Sequence, residues 1–353
     1  MGIASFVNWF QGTVSDRVLR HDNKAAQMLG FTPVWASDLL FCILNKFDVS
    51  GPSARSRIDR LVVDAGRDGA NEHKLAIVTG ANSGIGYETA KAIGRAGYKT
   101  ILACRNEELG LQAVQLLERQ TGLVDRYEFR QLDLASLDSI DKFVADIKAR
   151  EEGVDLLVNN AGVMACPLSK TEDGLEMQFG VNHVGHFALT VGLLDKLREA
   201  ARVINVSSLA AFMCGAIDYD ALEDDNKYEA WTEYAYSKLA NILFTQALAR
   251  RLEGKKVTAN SLHPGSVATD LTRHVGLGGR SRVQAAIEGA LLDDVHTGSL
   301  TSIFLALSPD VEGQTGQFYA RAMARAPHPA ADNVAAQDRL WEYTESVISK
   351  ARK

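Results

Sequence analysis

Lys74-Leu75-Ala76-Ile77-Val78-Thr79-Gly80-Ala81-Asn82-Ser83-Gly84-Ile85-Gly86 sets an apolar run directly before three closely spaced glycines. The run Leu75–Thr79 is continuous rather than alternating, as expected of a strand buried on both faces. A helix is expected to begin near Ile85. Between them, Gly80, Gly84 and Gly86 let the backbone turn sharply and come close to a ligand, with Asn82 and Ser83 in the same turn. A helix N-terminus offers free N–H groups and the positive end of a dipole, the combination that holds a pyrophosphate. Glycine-rich turns also occur for purely conformational reasons. The strand–turn–helix setting is what points to a nucleotide.

The same alternation continues along the chain. Lys99–Ala103, Tyr127–Leu132, Val154–Val158, Arg202–Val206 and Val257–Leu262 read as strands, with Gln317–Ala320 as a last one. Glu107–Gln120, Ser136–Arg150 and Glu233–Leu252 read as helices between them. Alternating strands and helices predict an α/β fold: a doubly wound, Rossmann-type parallel sheet with helices on both faces. Ligands in such sheets bind beyond the carboxyl ends of the strands.

The domain so defined runs over residues 74–353. Ahead of it, residues 1–49 carry Trp9, Trp35 and several phenylalanines, too aromatic for a disordered tail. Ile3, Phe6, Val7, Phe10, Val14 and Val18 recur at helical spacing, and a second apolar helix is expected from Trp35 to Phe47. This helical extension is expected to pack on the protein near the substrate mouth or at a homodimer interface, with weak peripheral membrane contact as the rival. Residues 50–73, which have no aromatic residue and open Ser50-Gly51-Pro52-Ser53, read as a connector.

Composition narrows the function. Of 353 residues, 38 are Lys or Arg and 44 are Asp or Glu, for a net charge of -6, so nucleic-acid binding is not expected. Four scattered cysteines with no CxxC argue against a disulfide framework or zinc site and for a reducing compartment. No stretch reads as a secretory signal, and Phe6 stands where a myristoylation signal wants Ser or Thr. A cytoplasmic protein, at most peripheral to a membrane, is the expectation.

Five further stretches carry chemistry. Arg105 and Asn106 end the second strand, where an acid would bind the ribose of NAD or an arginine the 2′-phosphate of NADP. No acid ends that strand, so NADP(H) is favoured; the plainer reading of Arg105 is a solvated arginine. Asn159-Asn160-Ala161-Gly162 follows the fourth strand, and Asp133-Leu134 the third; both offer cofactor contacts or simple turn and cap functions. Tyr234 and Lys238 are four apart and share a helix face. A nearby ammonium favours the phenolate and lowers a phenol pKa from near 10. Tyr236 has no lysine four positions later. Asn205-Val206-Ser207-Ser208 ends the fifth strand, and the glycosylation sequon it contains falls in an expected buried strand.

Taken in order, the glycine turn, Asn159-Asn160-Ala161-Gly162, Ser208, Tyr234-x3-Lys238 and His263-Pro264-Gly265 resemble the short-chain dehydrogenase/reductase family over about residues 74–348. Tyr236-Ser237-Lys238-Leu239-Ala240-Asn241, the run His263–Thr269 and Arg339-Leu340-Trp341-Glu342 resemble its retinol-dehydrogenase-like branch. The resemblance implies Tyr234 as general acid or base, Lys238 as its pKa partner and ribose ligand, and Ser208 as the hydrogen-bond donor to the substrate oxygen. It implies Asn182 as the holder of a relay water. It adds Pro264, Gly265, Val267 and Thr269 to the cofactor contacts. His183 and His186 lie beside Asn182, but at this spacing and without a third ligand no metal is expected.

The implied activity is NADP(H)-dependent interconversion of a carbonyl and an alcohol on a small lipophilic substrate of retinal, sterol or aldehyde type. A non-catalytic nucleotide sensor is the alternative of another class, and such proteins usually lose the Tyr or the Lys. Protochlorophyllide-type double-bond reduction is a further one, but those enzymes typically carry Lys where Ala235 stands. The substrate is expected to touch Asp270–Leu292.

Overall fold

A computed structural model describes residues 54–67, 69–265, 267 and 294–352. The expected helices within residues 1–49, together with Thr269 and all of Asp270–Leu292, lie outside the described residues.

Seven strands run parallel: β1 Leu75–Thr79, β2 Lys99–Cys104, β3 Tyr127–Gln131, β4 Val154–Asn159, β5 Leu197–Val206, β6 Thr258–His263 and β7 Phe318–Ala320. An eighth, β8 Met323–Arg325, returns antiparallel on β7, giving the order β3-β2-β1-β4-β5-β6-β7-β8. The order reverses between β1 and β4, and the crevice at that switch point is where doubly wound sheets bind ligands.

The helices are α1 Ala54–Arg67, α2 Gly84–Arg95, α3 Glu107–Thr121 and α4 Leu137–Arg150. Met177–Phe179, Gly180–Gly185 and His186–Gly192 follow one another as α5, whose middle section is π-helical. Then come α6 Ala230–Arg251, α7 Val295–Leu307 and α8 Val334–Ala351. Local chemistry sets several starts. Asn106 and Ser136 cap α3 and α4 with side-chain oxygens on Leu109 N and Ser139 N. Gly122 ends α3 at φ 71°, a left-handed position that suits glycine.

Each inner strand feeds two cores, because successive side chains point to opposite faces. Ile77, Ile101 and Leu157 join the core under α4, α5, α6 and α8. Ala76, Val78, Leu102 and Leu156 join the core under α1, α2, α3 and α7. This double burial explains why the strands read as continuous apolar runs.

The expected connector is a correction: Ala54–Arg67 forms helix α1. Ile58, Leu61, Val62 and Ala65 make an apolar stripe, and Ile58 and Val62 are buried in the same core as α2 and α7. Arg55 adds a two-oxygen contact to Asp294 at 3.1 and 2.8 Å. No helix among the described residues is long and apolar enough to cross a membrane.

Candidate active site

The glycine turn opens a cleft of about 360 Å³ at the switch point. Gly80 and Gly84 take φ 64° and 61°, where a side chain would be strained. A Cβ on Gly86 would stand 2.5 Å from both Asn160 Nδ2 and Gly80 O, so the turn closes only with glycine there. Ser83, the N-cap of α2, makes no side-chain cap bond, which leaves the helix N-terminus uncapped toward the cleft. An uncapped helix start and an approachable glycine backbone suit an anionic pyrophosphate.

The expected cofactor residues gather there. Gly80, Asn82, Ser83, Gly84, Ile85 and Gly86 line it from the glycine turn, Arg105, Asn106, Asp133 and Leu134 from the ends of β2 and β3, and Asn160, Ala161 and Gly162 from the end of β4. Arg105 is largely exposed, with Nε 3.9 Å from Asp133 Oδ2. Asn160 is held by Nδ2 donating to Thr79 O at 2.8 Å. Pro264, Gly265 and Val267 lie past the end of β6, outside the walls of this cleft; Val267 and Ile85 converge on Gly298 of α7. Sequence reading missed Val163, Met177 and Val181 as lining residues. They are ordinary apolar residues, and nothing in their spacing distinguishes them from core.

Next to Gly162, and outside the walls of this cleft, α6 brings Tyr234 and Lys238 onto one face, with Lys238 Nζ 5.6 Å from the Tyr234 ring centre. The Ser208 hydroxyl is within hydrogen-bond reach of Tyr234. Ser207, the other serine of the pair, is committed elsewhere: its hydroxyl donates to Lys238 O at 2.6 Å. Ser208 also caps the turn Leu209–Met213 through Ala210 N. Lys238 Nζ donates to Val206 O at 3.2 Å, and Asn241 shares that carbonyl.

The electrostatics depart from the simple expectation. Burial pushes the Tyr234 phenol up to about 12, with the Ser208 hydrogen bond acting the other way. Burial pulls the Lys238 ammonium down to about 8. Desolvation, and not the lysine, therefore sets the direction of the phenol's shift.

Asn182 sits in the π-helical turn with its side chain spent on the scaffold. Its Oδ1 accepts from Val163 N at 2.8 Å, and its Nδ2 donates to Val163 O and Ser237 Oγ, both at 2.9 Å. A Cβ on Gly162 would stand 3.1 Å from Asn182 Oδ1 and 3.6 Å from Lys238 Nζ, so a glycine keeps that corner open. Tyr236 points among Asp218, Cys214 and Glu233 instead. Asn205 is buried in β5, where it accepts from Asn159 Nδ2 at 2.8 Å and donates to Thr245 Oγ1, which leaves no room for a glycan. Among the described residues no group of three or more His, Cys, Asp or Glu could hold a metal.

A parallel sheet with a glycine turn at its switch point, and a Tyr/Lys pair beside a strand-end serine, is the arrangement of a nucleotide-dependent α/β oxidoreductase. The short chain dehydrogenase family model matches residues 74–278, and the chain belongs to that family, in its retinol-dehydrogenase-like branch. Retinol dehydrogenase 13 of Homo sapiens is 46% identical over 281 residues, covering 78% of this chain and 84% of the relative. The crystal structure of an uncharacterised protein from Mycobacterium paratuberculosis superposes with a TM-score of 0.63 at 32% identity, covering 78% of this chain and 92% of that one. A short chain dehydrogenase from Shigella flexneri, complexed with NADP, has the same fold at a TM-score of 0.55 and 22% identity, covering 73% of this chain and all 100% of that one.

Proposed function

We propose that the chain interconverts a carbonyl and an alcohol on a lipophilic substrate of retinal, sterol or aldehyde type, with NADP(H) as cofactor and Tyr234 as the general acid or base. The observation that carries this is the convergence of Tyr234, Ser208 and Lys238, with Lys238 beside Gly162 of the cleft wall. The name of the human relative supports a lipophilic alcohol or aldehyde, and Arg105 at the end of β2 supports NADP(H) over NAD(H).

When bound, the cofactor supplies the hydride for reduction or accepts it in oxidation. The chain does the rest. The glycine turn and the α2 N-terminus hold the pyrophosphate; Arg105 pairs with the 2′-phosphate; Asn160, Ala161 and Gly162 wall the nicotinamide side. Ser208 donates a hydrogen bond to the substrate oxygen. Tyr234, kept neutral by burial, gives its proton to that oxygen in reduction and takes it back in oxidation. Lys238 stands beside the phenolate that this leaves and stabilises it.

The test is NADPH consumption by the full chain over retinal, a sterol ketone, a quinone and simple aldehydes, with the corresponding alcohols and NADP in reverse. Turnover of a lipophilic carbonyl supports the reading. NADPH binding with no turnover of any carbonyl or alcohol contradicts it and favours a nucleotide sensor.

A further inference from the structure

His186 bridges Thr79, at the end of β1, and Asn182 in α5, and its hydrogen bonds fix its tautomer. The Thr79 hydroxyl, at the end of β1, accepts from Asn160 N and Ala161 N, both at 2.9 Å. Those two bonds use its acceptor capacity, so Thr79 has one proton left to give. That proton faces Val158 O at 3.4 Å and His186 Nε2 at 2.9 Å. The shorter contact assigns Nε2 as the bare acceptor. Nδ1 therefore carries the ring hydrogen, and it donates to Asn182 O at 3.0 Å.

The imidazole stays neutral. It is buried, and desolvation pulls it down to about 4, against the opposing effect of the hydrogen bond to the Asn182 carbonyl and with a smaller downward push from the charge of Lys238. A neutral ring with one donor and one acceptor gives the chain a single direction: the amides of Asn160 and Ala161, the Thr79 hydroxyl, the His186 ring, the Asn182 carbonyl. The Asn182 side chain is fully engaged with Val163 and Ser237. Through Ser237 Oγ the turn that carries Asn182 is tied to α6 beside Lys238, and His186 holds the carbonyl of that turn.

We propose that His186 is a positioning residue for this reaction: through Thr79 it holds the Asn160–Ala161 wall of the cofactor cleft, and through the Asn182 carbonyl it holds the turn that packs on α6 at Ser237, beside Lys238. The inference rests on the proposed carbonyl–alcohol chemistry.

Two isosteric substitutions separate the two ends of the ring. In His186→Asn the side-chain amide stands where Nδ1 was, keeping the bond to Asn182 and losing the one to Thr79. In His186→Gln it stands where Nε2 was, keeping Thr79 and losing Asn182. Each lost hydrogen bond is read as an effect of about tenfold. His186→Asn is expected to raise the NADPH KM about tenfold while kcat stays within about twofold of wild type. His186→Gln is expected to lower kcat about tenfold while the NADPH KM holds within about twofold. Equal losses in both parameters for both variants, or no change in either, overturn the proposal.

If the His186 variants fail to fold, as read by circular dichroism, Thr79→Ser and Thr79→Val decide it. The serine keeps the hydroxyl and is expected to behave as wild type; the valine is expected to raise the NADPH KM. An unchanged NADPH KM in Thr79→Val overturns the proposal. Tyr234→Phe runs in the same assay. Full turnover there removes the proposed chemistry, whereas a dead Tyr234→Phe without the crossed pattern removes only the assignment to His186.

Discussion

The Lys238 ammonium stands 5.6 Å from the centre of the Tyr234 ring, and burial moves both groups toward their neutral forms. The phenol is pushed up to about 12 and the ammonium down to about 8. At neutral pH a tyrosine so shifted carries the proton that a general acid must bring to the reaction. A lysine near 8 keeps a positive charge for much of the time at neutral pH and is placed to meet the phenolate.

Arg105 is the test of cofactor choice. It is largely exposed, with only Asp133 nearby at 3.9 Å, so it has little structural work to lose. Arg105→Ala is expected to weaken NADPH by roughly 1.5–3 kcal/mol, the size of a hydrogen bond to a charged group, and to leave NADH nearly unchanged. Fluorescence titration of both cofactors checks it. Equal losses, or a wild-type preference for NADH, would rule out a 2′-phosphate contact.

Glu233 makes stability depend on pH. Its side chain is buried beside Tyr234, and Oε2 has no hydrogen-bond partner. Burial, reinforced by Glu176, Glu229 and Asp218, pushes its carboxyl from 4.5 up to about 7. The folded protein therefore holds this proton more tightly than the unfolded chain. The contribution is complete below pH 4.5 and is lost as pH rises to about 7. Glu233→Gln keeps the shape without the charge. It is expected to stabilise by on the order of 1–2 kcal/mol near pH 8 and to do nothing near pH 4. Urea unfolding at both pH values measures this; a variant less stable than wild type near pH 8 would refute it.

Helix α1 is part of the folded unit. Ile58 is fully buried at 0% exposure against the core shared by α2 and α7. Ile58→Ala is expected to cost about 2–5 kcal/mol, as large-to-small core changes do. Thermal or urea unfolding reads it directly. A loss below about 0.5 kcal/mol, the range of surface changes, would show that α1 does not share the core.

The sheet was readable because burial on both faces writes itself as unbroken apolar runs; Leu75–Thr79 is bounded in the structure as it is in the sequence. Elements without that signature were not. β5 begins at Leu197, well before the apolar stretch from Arg202, because its first half carries exposed Glu199 and Ala200 beside a register shift opposite Val154 and Leu156. β8 is a short, largely exposed edge with no alternation to detect. Helix α1 was hidden by the absence of aromatic residues, although Ile58, Leu61, Val62 and Ala65 carry a helical period.

At the site, chemistry-bearing residues announced themselves by type and spacing, and thirteen cofactor positions from Gly80 to Gly162 meet at one cleft. The supporting residues did not. Ser207 and Ser208 are equivalent in sequence, and only the fold shows that Ser207 is spent on the Lys238 carbonyl. Thr79 and His186, distant in the chain and common in type, become partners only through the sheet and the π-helical turn.

The most direct test is turnover and NADPH binding of Tyr234→Phe against Tyr236→Phe, with the best carbonyl substrate of the wild-type chain. Tyr234→Phe is expected to lower kcat by a factor on the order of 10² or more with NADPH affinity retained, and Tyr236→Phe to change little. Substantial activity in Tyr234→Phe, or abolition of activity by Tyr236→Phe alone, would contradict the assignment of Tyr234 as the proton donor.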